Sequence, residues 1–200
     1  MVYDIIIIGG GVSGMSAAIT LGSAQEKFDW ASEKKILVID AGKSDLQAAS
    51  LWNAPGVPIG KDGKELLADL QTQLDRYETV EKMNDGVTSL TQDDQGVFAV
   101  TTGEQTYRAT AVVLASGFHQ FEVETSLVAS TTHPKVARPG MIMLENNEGV
   151  ISKNLYVTGV AAGLPSMFAI ASGDGVRVAC EILAEWGGNF FVPHDLAQKG

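Results

Sequence analysis

The chain opens on an apolar run, residues 2–8, that includes Ile5, Ile6, Ile7 and Ile8. A short run of β-branched residues without polar alternation predicts a strand buried on both faces of a parallel sheet. Gly9, Gly10 and Gly11 follow, and small and apolar residues over 13–24 predict a helix. Residues 25–35 turn polar, which reads as a helix extension plus a loop. Residues 36–39 are a second apolar run, ending at Asp40. Strand, helix and strand in that order make a βαβ unit.

Residues 41–62 are loop-like and hold Trp52-Asn53-Ala54-Pro55-Gly56. Leu66, Leu67, Leu70, Leu74 and Tyr77 recur at helical spacing and predict a helix over 64–77. Three short strands are predicted at 87–90, 97–101 and 106–108. The turn residues Asp93-Asp94-Gln95-Gly96 and Gly103 join them into an antiparallel meander. Residues 111–115 return to a buried strand that ends at Ser116-Gly117. Residues 118–139 show no clear period, and 155–158 form a last buried strand. A final helix is predicted from about Met167 to Trp186, with Ser166 as its N-cap and Gly187-Gly188 as its stop. The expected fold is α/β and Rossmann-type: a five-stranded, mainly parallel sheet with helices on both faces and a three-stranded antiparallel meander.

Composition narrows the function classes. The 200 residues are 45% hydrophobic and 19% charged, as in one ordinary globular domain. A net charge of −10 argues against nucleic acid, which needs a concentrated positive surface. Lys34-Lys35, the one basic cluster, reads as the cap of a surface turn. No stretch reads as a signal peptide or a membrane span, since Asp174, Arg177, Glu181 and Glu185 interrupt the longest apolar one. The sole cysteine, Cys180, excludes an internal disulfide, a Cys-x-x-Cys pair and a thiolate metal cluster. His119, His133 and His194 have no metal-ligand spacing and no obvious acid partner, so no metal is expected. The cytoplasm is the expected compartment.

Gly9, Gly11 and Gly14 fit G-x-G-x-x-G between a strand and a helix. The first glycine permits the sharp turn, the second lets a pyrophosphate approach the backbone, and the third lets helix and strand pack. The free N–H groups at the start of the helix, at Val12 and Ser13, favour the phosphate. Asp40, at the end of the second strand, would accept ribose hydroxyls. It stands beyond the usual spacing of about 20 residues, and the polar stretch 25–35 accounts for the excess. The alternatives are a plain tight turn for the glycines and a surface acid for Asp40.

At this point the sequence resembles the FAD-binding half of thioredoxin reductase-like flavoproteins. Five segments carry the resemblance, in order: residues 3–11, Asp40-Ala41-Gly42, Asn53-Ala54-Pro55-Gly56, 112–117 ending in Ala115-Ser116-Gly117, and Ala171-Ser172-Gly173-Asp174-Gly175. The resemblance implies FAD as cofactor, with Asn53 against the isoalloxazine ring. It also implies that the start of the last helix, at Ser166, Met167 and Phe168, faces the flavin. Residues 1–200 are then one FAD-binding domain, and 118–154 is a short connection where the family carries its NAD(P)H domain. A single βαβ unit already takes about 30 residues, and that stretch has no second glycine fingerprint. The family closes its last strand with Gly-Asp, an acid on a ribityl hydroxyl. Here Gly159 is followed by Val160, a loss of about 1.5–3 kcal/mol, roughly tenfold to hundredfold in affinity.

Other residues have two readings each. Cys180 is core packing or a reactive thiol. Asp174 touches a ligand or partner, or lies on exposed helix surface. Gly173 and Gly175, costly in a helix, suggest close approach of a backbone or ring. His119 sits near the cofactor or is simply exposed. Trp52 and Phe168 border the flavin or pack on the core.

The function expected is a flavoprotein with an oxidoreductase or electron-transfer role, fed by a separate donor protein or by diffusible NAD(P)H. The rival readings are a non-enzymatic FAD-binding or sensing module, or a subunit of a larger redox complex; against a third, a nicotinamide-binding dehydrogenase, stand the meander and the closing Gly159 segment. The resemblance also implies a possible homodimer.

Overall fold

The computed structural model describes residues 1–103, 105–119, 121–136, 138–190 and 193–194. The expected domain runs to residue 200, and its residues 191–192 and 195–200 lie outside the described residues. So do 120 and 137 of the expected connection 118–154.

The opening apolar run is two strands, not one: β1 (Val2–Tyr3) and β2 (Ile5–Ile8). Asp4 breaks it, because its carboxylate accepts from Lys35 N at 2.9 Å and Lys34 Nζ at 2.8 Å. The two lysines therefore tie down this break; they do not simply cap a turn. α1 (Val12–Gln25) and β3 (Ile36–Asp40) complete the βαβ unit. β4 (Ser50–Leu51) and β5 (Lys61–Asp62) pair antiparallel across the loop that holds Asn53. α2 (Gly63–Leu74) starts where Asp62 Oδ1 accepts from Lys64 N and Glu65 N. β6 (Val80–Asn84) precedes the meander of β7 (Val87–Gln92), β8 (Phe98–Thr102) and β9 (Thr106–Ala109). β10 (Val112–Leu114), the hairpin of β11 (Ser130–Thr132) and β12 (Ile142–Leu144), β13 (Val150–Ser152), β14 (Leu155–Val157) and α3 (Phe168–Gly187) follow.

Among the described residues the main sheet has the order β13-β14-β10-β2-β3-β6. The five strands from β14 to β6 are parallel, as expected, and β13 adds an antiparallel edge. The meander gains β1, parallel to β9. β6 escapes the sequence reading because it is an edge strand whose Glu81 and Lys82 face solvent, leaving no apolar run.

The strand period of two sends alternate residues to different cores. Ile5, Ile7, Ile36, Val38 and Val113 pack against Met15 and Leu21 of α1, Leu70 and Leu74 of α2, and Ile182 and Leu183 of α3. Ile6, Ile8, Leu37, Ile39, Val112 and Leu114 pack against Leu90, Phe98 and Val100 of the meander. Helices on both faces are therefore a wrong expectation. Among the described residues the three α-helices share one face, and the four-stranded sheet covers the other. Each fully buried side chain of this size contributes about 1.5–3 kcal/mol.

Candidate functional site

A cleft of about 570 Å³ runs along the C-terminal ends of β2, β3 and β10, within the usual range for small-molecule sites. The chain leaves β2 for β3 on one side and reaches β10 on the other, so the cleft lies at the switch point of the sheet. Local sequence builds its floor. Gly9 has φ +112, and a Cβ on Gly14 would stand 2.0 Å from the Gly9 carbonyl oxygen. Only glycines let α1 leave β2 so tightly. The N-cap of α1 is Gly11, and no side chain caps it, so the first amides of the helix open into the cleft. Asp40 Oδ1 accepts from Gly10 N and Gly42 N, both at 3.1 Å, and pins the glycine loop to the end of β3. Asp40 is thus part of the loop's own structure, and its carboxylate still lines the cleft.

Of the residues expected at a cofactor, Gly9, Gly11, Val12, Ser13, Asp40, Ala41, Asn53, Ala115, Ser116, Gly117, Val160, Ser166, Met167 and Phe168 line this one cleft. Three do not. Gly14 packs on Gly9, Gly42 supports Asp40, and Gly159 lies behind the wall, where a Cβ would meet Ser13 Oγ at 2.6 Å. Ser166 is not the N-cap of α3. Met167 is, without a side-chain cap, because its N–H turns back to Pro165 O and delays the helix by one residue. Like α1, α3 therefore presents uncapped amides to the cleft.

The remaining lining was not legible in the sequence. Lys43, Asp45, Leu46, Asp85, Phe121 and Glu122 reach the cleft from segments without clear period, and Val87 from the first position of β7. His119 has the acid partner that the sequence did not suggest. Its Nε2 lies 2.9 Å from Asp45 Oδ1 across the cleft, and its ring stacks on Phe118. Phe168 lines the cleft and also packs with Leu46, Leu51 and Leu66. Trp52 is 71% exposed and lies against Gly60, outside the lining. Asp174 is not exposed surface, and it lies outside the cleft lining. It is buried and salt-bridged to Arg177 at 2.8 Å. Gly175 shows the close approach expected of it, to Ser13 O, whereas nothing crowds Gly173.

Cys180 is buried in α3. Burial, and then the nearby Glu181 carboxylate, push its thiol up from the ordinary value. Native protein at neutral pH should alkylate at Cys180 far more slowly than urea-unfolded protein, as read by mass spectrometry. Equal rates would contradict the packing seen here. Among the described residues no group of three or more His, Cys, Asp or Glu side chains comes together as a metal site, and no helix is long and apolar enough to cross a membrane.

Residues 3–158 match the family described as pyridine nucleotide-disulphide oxidoreductase. A ferredoxin–NADP reductase of Limosilactobacillus fermentum is 28% identical over 152 residues, 73% of this chain and 41% of that protein. A thioredoxin reductase of Mycolicibacterium smegmatis is 33% identical over 119 residues, 58% of this chain and 35% of that protein. The chain thus spans about two fifths or less of the length of these relatives. A solved thioredoxin reductase from Gloeobacter violaceus shares the fold at a TM-score of 0.74 and 16% identity, covering 98% of this chain and 99% of that one. The resemblance carried by the five segments is borne out, and with it FAD as the family's cofactor. With most of its length matched, the chain belongs to the pyridine nucleotide-disulphide oxidoreductases, a family of FAD-binding redox proteins.

Proposed function

We propose that FAD lies along the cleft, within one FAD-binding domain spanning residues 1–200. We further propose that the protein exchanges electrons with a separate donor protein or with diffusible NAD(P)H. The observation that carries this reading is one cleft open to two helix N-termini that no side chain caps. The N-terminal ends of α1 and α3 are electropositive and offer N–H groups without helical partners. Val12 and Ser13 then bind the pyrophosphate. Asp40, with Oδ1 committed to two amides, accepts ribose hydroxyls through Oδ2. Asn53 hydrogen-bonds the O4/N5 edge of the ring, and the start of α3 at Met167 and Phe168 favours negative charge at the N1/O2 side. The flavin supplies the redox chemistry, and the protein binds, orients and shields it.

Residues 118–154 stand where the resemblance puts a nicotinamide domain, and they hold no second glycine fingerprint. Mass analysis of ligand released from denatured protein should therefore find FAD. NADPH should reduce it slowly and without saturation in anaerobic stopped flow. A protein that also fails to bind added FAD sinks the reading, and rapid saturable reduction would mean that residues 118–154 contribute a nicotinamide site. Disulfide reduction by the chain alone should be missing, because Cys180 has no cysteine partner. A non-enzymatic FAD module is the second reading. It is favoured by the burial of that lone thiol in α3, outside the cleft lining. Self-association is read from the mass of the holoprotein in solution.

A further inference from the structure

Side chains hold the backbone of residues 158–160 from two sides. Asp174, only 7% exposed, accepts on Oδ2 from Thr158 Oγ1 at 2.9 Å and from Gly159 N at 2.7 Å. Its Oδ1 accepts from Arg177 Nε at 2.9 Å and Nη2 at 2.8 Å. On the other side His133, 3% exposed, places Nε2 2.9 Å from the Val160 carbonyl oxygen. Its Nδ1 accepts from Lys135 N at 3.1 Å. That second bond needs a bare Nδ1, so Nε2 carries the proton and donates to Val160. Between the two anchors Gly159 has φ +71, with no room for a Cβ against Ser13 Oγ. Val160 and Ser13 line the cleft, while Asp174 and His133 stand behind it.

A carboxylate buried this far is costly to desolvate, and a well-packed apolar pair would join strand to helix at least as well. What an apolar pair cannot do is hold the amide of a left-handed residue at a fixed place. We propose that Asp174, seconded by His133, is a positioning residue of the FAD site. It clamps Gly159 so that Val160 and Ser13 keep their places in the cleft wall. The proposal rests on the FAD reading above. In Asp174→Asn one amide oxygen remains, but the NH2 group meets Arg177 donor to donor. The side chain must turn, Gly159 N loses its acceptor, and both wall residues shift.

Tyr156→Phe is the control. Tyr156 Oη donates to Glu185 at 2.6 Å, joining the same strand to the same helix without touching residues 158–160. Three readouts are needed: the dissociation constant of FAD, the visible spectrum of the bound flavin, and hydrogen exchange at the Gly159 amide of apoprotein. Asp174→Asn and Thr158→Val should weaken FAD about tenfold or more, the range for a lost charge-assisted bond. Both should shift the flavin spectrum and speed exchange at Gly159. Thr158→Ser should restore wild-type values, and Tyr156→Phe should lower stability with FAD affinity unchanged. If Asp174→Asn does not fold, Thr158→Val carries the test. Variants that lose stability but bind FAD like wild type overturn the clamp while leaving the FAD reading intact. Wild-type protein that takes no FAD overturns that reading first, and the proposal falls with it.

Discussion

Gly175→Ala should lower stability by about 3 kcal/mol, whereas Gly173→Ala, two residues earlier in the same helix, should raise it by up to about 1 kcal/mol. Propensity alone favours alanine at both positions. At Gly173 nothing lies within 4 Å of the added Cβ, so the propensity gain survives. At Gly175 the Cβ would stand 2.1 Å from Ser13 O and 2.9 Å from Ser13 C. These are backbone atoms, which no rotamer change can move. α1 and α3 would have to separate, straining the Ser16–Ser172 hydroxyl bond at 3.0 Å and opening the core that Met15, Leu21, Ile182 and Leu183 share. Ser13 sits in the first turn of α1, at the cleft, so FAD affinity should fall in the same variant. Urea midpoints of the two single variants check the first claim. A Gly175→Ala protein at least as stable as wild type would contradict the helix contact.

Val160→Asp should tighten FAD binding by about 1.5–3 kcal/mol, roughly tenfold to hundredfold. The resemblance places an acid at this strand end, on a ribityl hydroxyl. Burying a new carboxylate in a dry core would cost as much or more. Val160 is half-buried and lines the cleft, so its side chain has the cleft beside it. Its carbonyl is already held by His133, which leaves the backbone in place while the side chain changes. Titration of apoprotein with FAD, beside thermal unfolding of the apo form, separates the outcomes. Tighter binding with apo stability retained supports the assignment. Weaker binding together with a less stable apoprotein would mean that the strand end does not correspond to the family's.

Features encoded within a few consecutive residues were legible. The βαβ unit, the glycine turn and the meander each depend on short-range pattern. The Gly9 to Gly14 segment makes its own turn and helix start wherever the chain goes next. The misread features need a neighbour that is distant in sequence. β6 carries the exposed Glu81 and Lys82, one towards each face of the sheet, and exists because β3 offers an edge to pair with. The run 2–8 splits because Asp4 meets Lys34 and Lys35. The sequence left Asp174 between a ligand or partner contact and exposed helix surface, and only the fold surrounds it with Arg177 and the amide of Gly159.

The same division runs through the cleft. The sequence by itself determined the turn, the acid at the end of β3 and the Asn53 loop, since each is written in adjacent residues, and it put the cap of α3 one residue early. Only the tertiary structure decided that the segments at 43–46, 85–87 and 121–123 close around them, and that His119 meets Asp45. It also decided which face of the sheet the helices take. Strand alternation supplies two apolar faces but not their partners. The meander, held to β1 through β9, occupies one face and leaves the other to α1, α2 and α3.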